Sequence, residues 1–275
     1  MRKHLIYIFM LLGSIAADGQ EARYLDLLKA ERELNGMFNR LYSDNVTGRD
    51  SLLVVIMEKM HEALSREGAM EFPWTGLERI GMVSSEDNQL RLFTWHMMDD
   101  PDHYRYFGYI QVARRRRGPE VYNLEDNMKR QRNTQNAEQA IDNWYGKLYY
   151  GIVTGDHRRQ TYYTLLGLDF NDRQSNIKTI ETMSLQRNGP QFEEDRFFNG
   201  HDYVDRVILE YSSQVSMVAR YDSILDMITF DHLAPFHPIY EGNYEFYGPD
   251  GSFDGYEFVD GTWVLREDLD ARNID

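Results

Sequence analysis

Residues 231–270 of the chain, DHLAPFHPIYEGNYEFYGPDGSFDGYEFVDGTWVLREDLD, alternate short aromatic runs with acidic residues and glycine. Three turn-forming steps divide this segment: Pro249-Asp250-Gly251, Asp254-Gly255 and Asp260-Gly261. Asp-Gly steps favour tight hairpin turns because glycine reaches positive φ without steric cost. The segment therefore predicts the closing hairpins of a β domain.

Short strands are also predicted upstream, because from residue 72 the hydrophobic residues recur with a period of two. Hairpin-length links join these strands, and no helical pattern separates them as a crossover would. The fold class predicted is therefore mainly β (α+β), with antiparallel sheets in a sandwich, an open barrel or a meander. The candidate strands are residues 77–83, 90–97, 103–112, 147–153, 160–169, 177–185, 204–211, 215–221 and 227–231.

The N-terminal region has the helical period instead. Apolar residues recur at spacings of three and four in residues 21–43, and again after Asp50 as far as Gly68. A short link makes two such helices antiparallel neighbours. We expect a helical hairpin at residues 20–70, followed by the antiparallel β domain at residues 71–275.

Residues 1–19 resemble a secretory signal peptide. Arg2 and Lys3 precede an apolar run from Leu5 to Ile15, and small residues follow at the spacing of a cleavage site. The run is shorter than the roughly 20 residues that a spanning helix needs. We therefore expect an exported protein, either periplasmic, associated with the outer membrane or secreted, with no transmembrane span in the mature chain.

The amino-acid composition limits which partners the chain can bind and which chemical sites it can form. The chain carries a formal net charge of −15, which disfavours nucleic acid as a partner. It contains no cysteine, so disulfides, thiolate metal sites and a cysteine nucleophile are excluded. A basic island within residues 114–132 interrupts the acidic chain, and we interpret it as an exposed loop that leads into a short helix near residues 137–143.

Short catalytic motifs such as a nucleophile elbow, a zinc helix or a phosphate-binding loop are missing from the sequence. The nearest approach to catalytic chemistry is Asp231-His232, with His237 and Glu241 close behind. A histidine beside a carboxylate can act as a general base or hold a metal ion. The alternative interpretation places Asp231 at the cap of a turn and both histidines on a loop.

Closely spaced acidic residues could also bind a hard cation. Asp250, Asp254, Glu257 and Asp260 offer the oxygen ligands that Ca²⁺ prefers. Aspartate is equally a preferred turn residue beside glycine, so the same pattern has a purely structural explanation. We expect no bound cofactor, with Ca²⁺ as the alternative.

The aromatic residues of the segment are either a binding surface or a core. Rings flanked by carboxylates bind sugars and basic peptides, whereas alternation along a strand turns at least half of them inward. The candidate binding residues from the sequence are Tyr247, Asp250, Asp254, Tyr256, Trp263 and His232.

Four phrases resemble a family of exported, uncharacterised proteins from the Bacteroidota. They are residues 144–150 (WYGKLYY), 161–167 (TYYTLLG), 230–235 (FDHLAP) and 247–255 (YGPDGSFDG), and the resemblance covers roughly residues 75–272. It implies an envelope or secreted location, and it implies no activity and no catalytic residue. The chain departs from the expected pattern at Leu168, where the relatives would carry tryptophan.

The sequence supports two hypotheses of function. The first is a non-catalytic exported protein that binds or scaffolds a partner in the bacterial envelope, such as another envelope protein, a glycan or a peptide. Its discriminating feature is an exposed ring between Tyr244 and Trp263. The second is a hydrolase of glycans or peptides with Asp231 and His232 at its centre, which requires these groups to meet in a pocket.

Overall fold

The computed structural model describes residues 2–43, 46–100, 103–114, 118–127, 135–136 and 138–269. The chain divides into two compact units by its internal contacts. Residues 1–80 and 111–121 form what we call the helical unit, and residues 81–110 and 122–275 form the β unit. The helices thus share their unit with a later segment, whereas the sequence placed the boundary at residue 70.

Two helices form the helical unit, α1 at Arg2–Leu41 and α2 at Arg49–Leu64. Their buried faces carry the predicted apolar residues, for example Phe38 of α1 and Ile56 of α2. The side chain of Glu31 is buried and accepts a hydrogen bond from the backbone N–H of Gly76 at 2.7 Å. The predicted pair of helices is confirmed. Of the helices in the described part of the chain, none combines the length and the apolar character that a membrane crossing requires.

Fifteen strands follow within the described ranges, and the mainly β prediction is confirmed. They pair antiparallel, apart from a parallel contact of the short strand β9 with β15. The strand orders are β1-β2-β3-β4, β11-β7-β6-β5 with β8 beside β7, and β10-β9-β15-β14-β13-β12. The strands are β1 Gly81–Ser84, β2 Leu90–Asp100, β3 His103–Val112, β4 Glu120–Glu125, β5 Leu148–His157, β6 Gln160–Asp169, β7 Ser175–Gln186, β8 Gly189–Phe192, β9 Phe197–Phe198, β10 Tyr203–Val204, β11 Arg206–Ser212, β12 Ala219–Asp222, β13 Met227–Pro235, β14 Tyr247–Val259 and β15 Thr262–Arg266.

The five-stranded sheet of the β unit is covered on both faces. One face contributes Leu166 and Ile180 to a hydrophobic core that it shares with residues of the six-stranded sheet, such as Ile228. Side chains on the other face, such as Leu165 and Thr179, are also fully buried. Successive residues of a strand point to opposite faces, so alternating residues of this sheet are buried on one face or on the other.

The turn chemistry of the C-terminal segment was predicted only in part. Asp260-Gly261 forms the hairpin turn between β14 and β15, with both residues at positive φ, as expected. The prediction of a turn at Asp254-Gly255 is wrong, because β14 runs through it. A Cβ on Gly255 would lie 3.1 Å from the carbonyl oxygen of Ile228, so glycine here serves close approach of the neighbouring strand.

The turn predicted at Pro249-Asp250-Gly251 is also wrong as a hairpin. These residues lie within β14, at a bulge where the register passes from Asp231↔Phe253 to Leu233↔Pro249. The extra residues of β14 are accommodated by Gly251, whose φ is +97°. Aspartate and glycine therefore mark an irregular strand here and not the end of one.

The basic island falls largely on residues 115–117 and 128–134, which lie outside the described residues. The helix predicted after it is absent from the described residues 138–143. A turn closed by the Asn143 N–H and the Ala140 carbonyl stands there instead. The backbone N–H of Trp144 bonds to the carbonyl of Glu125 at 2.8 Å, so pairing with the end of β4 replaces helical hydrogen bonds.

Replacing Gly261 by alanine should destabilise the protein more than the same change at Gly200. Both glycines have positive φ, +89° and +97°, so each substitution costs about 1–2 kcal/mol in backbone strain. A Cβ at Gly261 would also lie 2.8 Å from two carbons of His157, whereas the space around Gly200 is open. Overpacking of this kind adds about 1–3 kcal/mol. Thermal melts of Gly261→Ala and Gly200→Ala test this, and equal midpoints would contradict it.

Candidate functional site

The six candidate binding residues do not form one surface. Tyr256 and Trp263 lie in the core of the β unit, where both are buried. The ring of Tyr256 stacks on Phe230 with centroids 5.8 Å apart, and the Trp263 indole N–H donates to Thr164 Oγ1 at 2.8 Å. Core packing occupies these two rings, so they present no face to a ligand.

His232 and Asp254 form a pair that the sequence did not predict. His232 Nδ1 lies 2.7 Å from Asp254 Oδ2, and the other oxygen of Asp254 accepts the backbone N–H of Asp268 at 3.2 Å. The hydrogen bond to Asp254 raises the pKa of His232 above the ordinary 6.5, and partial burial only offsets this in part. A protonated histidine held by a carboxylate is therefore favoured at this position.

Asp231 has a different role from the one that Asp231-His232 suggested. Its carboxylate accepts the backbone N–H of Val218 at 2.7 Å, which ties β13 to the segment before β12. His237 is also structural, since its Nδ1 accepts the backbone N–H of Ile239 at 3.2 Å. The histidines and Asp231 thus bond separately, and the predicted Asp231–His232 pairing is not formed.

Residues 236–246, which we call the aromatic loop, connect β13 to β14 and carry exposed apolar side chains. Two 3-10 turns shape the loop, Pro238–Tyr240 and Tyr244–Phe246. Hydrogen bonds hold its base, from the Phe236 N–H to the Phe246 carbonyl at 2.9 Å and from the Gly242 N–H to the Tyr247 hydroxyl at 2.9 Å. The loop is thus an ordered surface and not an open chain.

The exposed side chains of the aromatic loop are large. Phe236 is 55% exposed, Ile239 77% and Tyr244 49%. In the same loop the rings of Tyr240 and Phe246 stack with centroids 4.3 Å apart and an interplanar angle of 20°. Exposed apolar groups of this size in one loop are typical of a contact surface.

The surroundings of the aromatic loop are acidic. Residues 231–265 contain no lysine or arginine, while Glu241 and Asp250 are exposed there and Glu245 is half-buried. The surface therefore carries negative potential beside its apolar groups, which favours partners of positive charge.

The acidic residues considered for Ca²⁺ bond separately in the structure. Asp250 accepts the backbone N–H and the hydroxyl of Ser252, at 2.9 and 2.7 Å, and Glu257 pairs with Arg266 at 2.7 Å. Among the described residues no three histidine or carboxylate side chains are arranged to hold a metal ion. Asp260 lies in the β14–β15 turn.

A buried charged cluster in the five-stranded sheet was missed by sequence reasoning. Lys147 Nζ lies 2.6 Å from Glu181 Oε2, and both side chains are buried. The Tyr149 hydroxyl donates to the other oxygen of Glu181 and accepts the Trp144 indole N–H at 2.9 Å. We use the name Lys147 cluster for five residues: Lys147, Glu181, Tyr149, Trp144 and Arg206.

The path of Lys147 to Glu181 depends on a glycine between them. Lys147 immediately precedes β5, and Glu181 lies on β7, so the lysine stem crosses β6 at Gly167. A Cβ on Gly167 would lie 2.6 Å from Lys147 Cδ and 2.7 Å from Thr179 Oγ1. The absence of a side chain at Gly167 thus makes the ion pair sterically possible.

Burial and charge set the ionisation of this pair. Burial lowers the pKa of Lys147 to about 8, although the Glu181 carboxylate opposes that shift. Burial alone would raise the pKa of Glu181, but the charges of Lys147 and Arg206 outweigh it and hold that pKa below its ordinary value. No signal in the sequence marked the cluster, since Lys147 and Glu181 lie 34 residues apart and β7 also carries polar residues such as Lys178 and Thr182.

No protein-family model matches the chain, and no match is found among the curated proteins or the solved structures.

Removing the ammonium of Lys147 should be severely destabilising. The Lys147→Met change leaves the buried carboxylate of Glu181 without its partner, which costs about 3–5 kcal/mol for pairs of this kind. The double change Lys147→Met with Glu181→Met removes both charges and should recover part of the loss. Urea unfolding of the three proteins measures this. A single variant as stable as the double variant would contradict the assignment.

The His232–Asp254 pair should stabilise the protein at low pH. Because the folded pKa of His232 lies above 6.5, its contribution is fully present below pH 6.5 and is lost as the pH rises through the raised value. The difference in melting midpoint between wild type and His232→Asn should therefore shrink with increasing pH. The exposed His201 offers the control change His201→Asn, whose difference should not follow this profile. A constant difference for His232→Asn would contradict the pairing.

Proposed function

We propose that the chain is a non-catalytic, exported binding protein of the bacterial envelope, and that its aromatic loop binds a basic, apolar segment of another protein. The observation that carries the proposal is the exposure of Phe236, Ile239 and Tyr244 on an ordered loop. Export is supported by the signal-like residues 1–19 and by the resemblance to exported proteins of the Bacteroidota. N-terminal sequencing of the chain recovered from the envelope tests export.

The exposed apolar groups supply the affinity. Covering a phenylalanine or isoleucine side chain removes it from water and contributes about 1.5–3 kcal/mol. The loop is held at its base by backbone hydrogen bonds, so little conformational entropy is lost when a partner binds. A preformed apolar surface of this kind is typical of the centre of a protein contact.

A peptide fits the loop better than a glycan does. Sugars stack on free, flat ring faces, but one face of Tyr240 is already covered by Phe246. Ile239, the most exposed of the apolar side chains in the loop, offers no ring at all. Aliphatic surface beside aromatic edges is matched by apolar side chains of a polypeptide.

The negative charge around the aromatic loop favours a partner of positive charge. Residues 231–265 lack lysine and arginine, and the whole chain has a net charge of −15. Lysine or arginine beside apolar residues in the partner would meet Glu241 and Glu245. Such attraction accelerates association and weakens with salt, since exposed charges are screened over about 8–10 Å at physiological ionic strength.

The test is a titration of the full chain with synthetic extended peptides that carry lysine or arginine between apolar residues. Replacing both Phe236 and Ile239 by serine should weaken binding at least tenfold, about 1.4 kcal/mol. Ile224 is 76% exposed in the β12–β13 turn, outside the loop, and Ile239 is 77% exposed. Ile224→Ser is therefore the matched control and should leave the affinity unchanged.

Two outcomes would contradict the proposal. The first is equal loss of affinity in Ile224→Ser and in the double variant, which would indicate nonspecific hydrophobic adsorption. The second is binding of glycans and not of basic peptides, with the same dependence on Phe236 and Ile239.

A hydrolase is the second candidate function, and the His232–Asp254 pair is the observation that favours it. A histidine oriented by a carboxylate can act as a general base. The residues at the centre of this candidate site are His232 and Asp254 and not Asp231 and His232, because Asp231 accepts the backbone N–H of Val218. Cleavage of glycans or peptides by the purified chain, lost in His232→Asn, would support hydrolysis over binding.

A further inference from the structure

Lys147 and Glu181 are placed as reactants as well as an ion pair. The Nζ atom of Lys147 lies 2.6 Å from Glu181 Oε2, which is one bond from the carboxyl carbon. The side chain of Lys147 is inaccessible to solvent and that of Glu181 is only 3% exposed. An amine and a carboxyl group held together away from water are arranged for amide formation, because the proximity removes the entropic cost of their encounter.

We propose that Lys147 and Glu181 become joined by an intramolecular isopeptide bond that the folded protein forms by itself. A proton first passes from the Lys147 ammonium to Glu181 Oε2, which gives an amine and a carboxylic acid. The lone pair of Nζ then attacks the carboxyl carbon, and a C–N bond forms. The C–Oε2 bond breaks, and the departing hydroxyl group takes a second proton from Nζ and leaves as water. No oxidant, reductant or other co-reactant is needed.

Burial favours the neutral reactants. Separate charges are costly in a low-dielectric interior, so proton transfer within the pair is easier there than in water. Burial also brings the pKa of Lys147 down to about 8, and the positive charge of Arg206 acts in the same direction, although that charge also holds the pKa of Glu181 low and so opposes its protonation. The amine form that must attack is therefore accessible near neutral pH.

The neighbours of Glu181 can assist the step. The Tyr149 hydroxyl donates a hydrogen bond to Oε1, the oxygen on which negative charge develops when the amine attacks. The indole N–H of Trp144 bonds to the same hydroxyl at 2.9 Å and fixes its direction. Preorganised donors at a developing oxyanion are the largest stabilising contribution in most acyl-transfer sites.

The structure also offers space for the water that leaves. A cavity of about 10 Å³ adjoins Glu181, Thr182 and Arg206. That volume is close to the least that holds one water molecule, and most of the residues that line it are charged or polar. The cavity thus offers a place for the by-product beside Glu181.

The link would act as a covalent brace in a chain without cysteine. It would join the residue before β5 to β7 across β6, and so restrict the unfolded chain as a disulfide does. This inference does not depend on the aromatic loop or on the proposed partner.

Peptide mapping of the denatured full chain tests the proposal, because denaturation separates an ion pair and leaves a covalent bond intact. The sample is first shown to unfold cooperatively, and it is then digested with trypsin. We expect residues 133–158 and 179–187 to be recovered as one linked species, with a mass lower by one water than the sum of the two peptides. Cleavage after Lys147 should be blocked.

Three variants sharpen the assignment. Lys147→Arg keeps the charge but lacks the amine, so the linked species should disappear. Lys178→Arg, on the same strand as Glu181, keeps the tryptic site and should retain the link. Glu181→Gln can still condense, with loss of ammonia in place of water, and should give a linked species of the same mass as the wild type.

The result that would overturn the proposal is obtained on the wild-type chain alone. Recovery of residues 133–147, 148–158 and 179–187 as separate peptides of full mass would show that the pair is only ionic. A linked species that persists in Lys147→Arg would show that another lysine is the reactant.

Discussion

The contact between Lys147 and Glu181 is the constraint around which the β unit is arranged. It joins the start of β5 to β7 across β6, at 2.6 Å and without solvent. A charged pair in such a place stabilises the fold only if both partners are present and bonded, since either charge alone would be costly. Gly167 gives the lysine its path, and the Tyr149 hydroxyl completes the bonding of Glu181. The sheet is thus held by a polar contact on one face and by apolar packing on the other.

The opposite face of the same sheet packs against the strands that carry the candidate binding surface. Leu166 and Ile180 pack in the core with the strands of the six-stranded sheet, and Trp263 bonds to Thr164 across that interface. The strands β13 and β14 belong to this core over part of their length, and the aromatic loop connects them. The close-packed core therefore supports β13 and β14, and the loop that connects these strands exposes its apolar side chains. Rigid support and exposed side chains together are what a preformed binding surface requires.

The sequence predicted the elements whose cause is local. The two helices, β3 and β6 follow from periodicity, and the turn at Asp260-Gly261 follows from glycine and positive φ. Asp254-Gly255 has the same composition but lies within β14. The backbone of Ile228 passes close to Gly255, and Asp254 Oδ1 accepts the backbone N–H of Asp268. The Lys147 cluster and the His232–Asp254 pair join residues distant in sequence, so no short motif announces them. Alternation along β14 separates Tyr256 and Phe258 from Phe253, but it does not show which of the two faces lies against the core.

Native-state hydrogen exchange tests most directly whether the Lys147–Glu181 contact is the anchor of the β unit. The amides of β6 and β7 around Gly167 and Thr179 should be the slowest to exchange, opening only with global unfolding. Residues 247–252 of β14, which pass through the bulge, should exchange much faster. Exchange from β6 and β7 at the rate of residues 247–252 would contradict the account, because the sheet that carries the buried pair would then open without the rest of the fold.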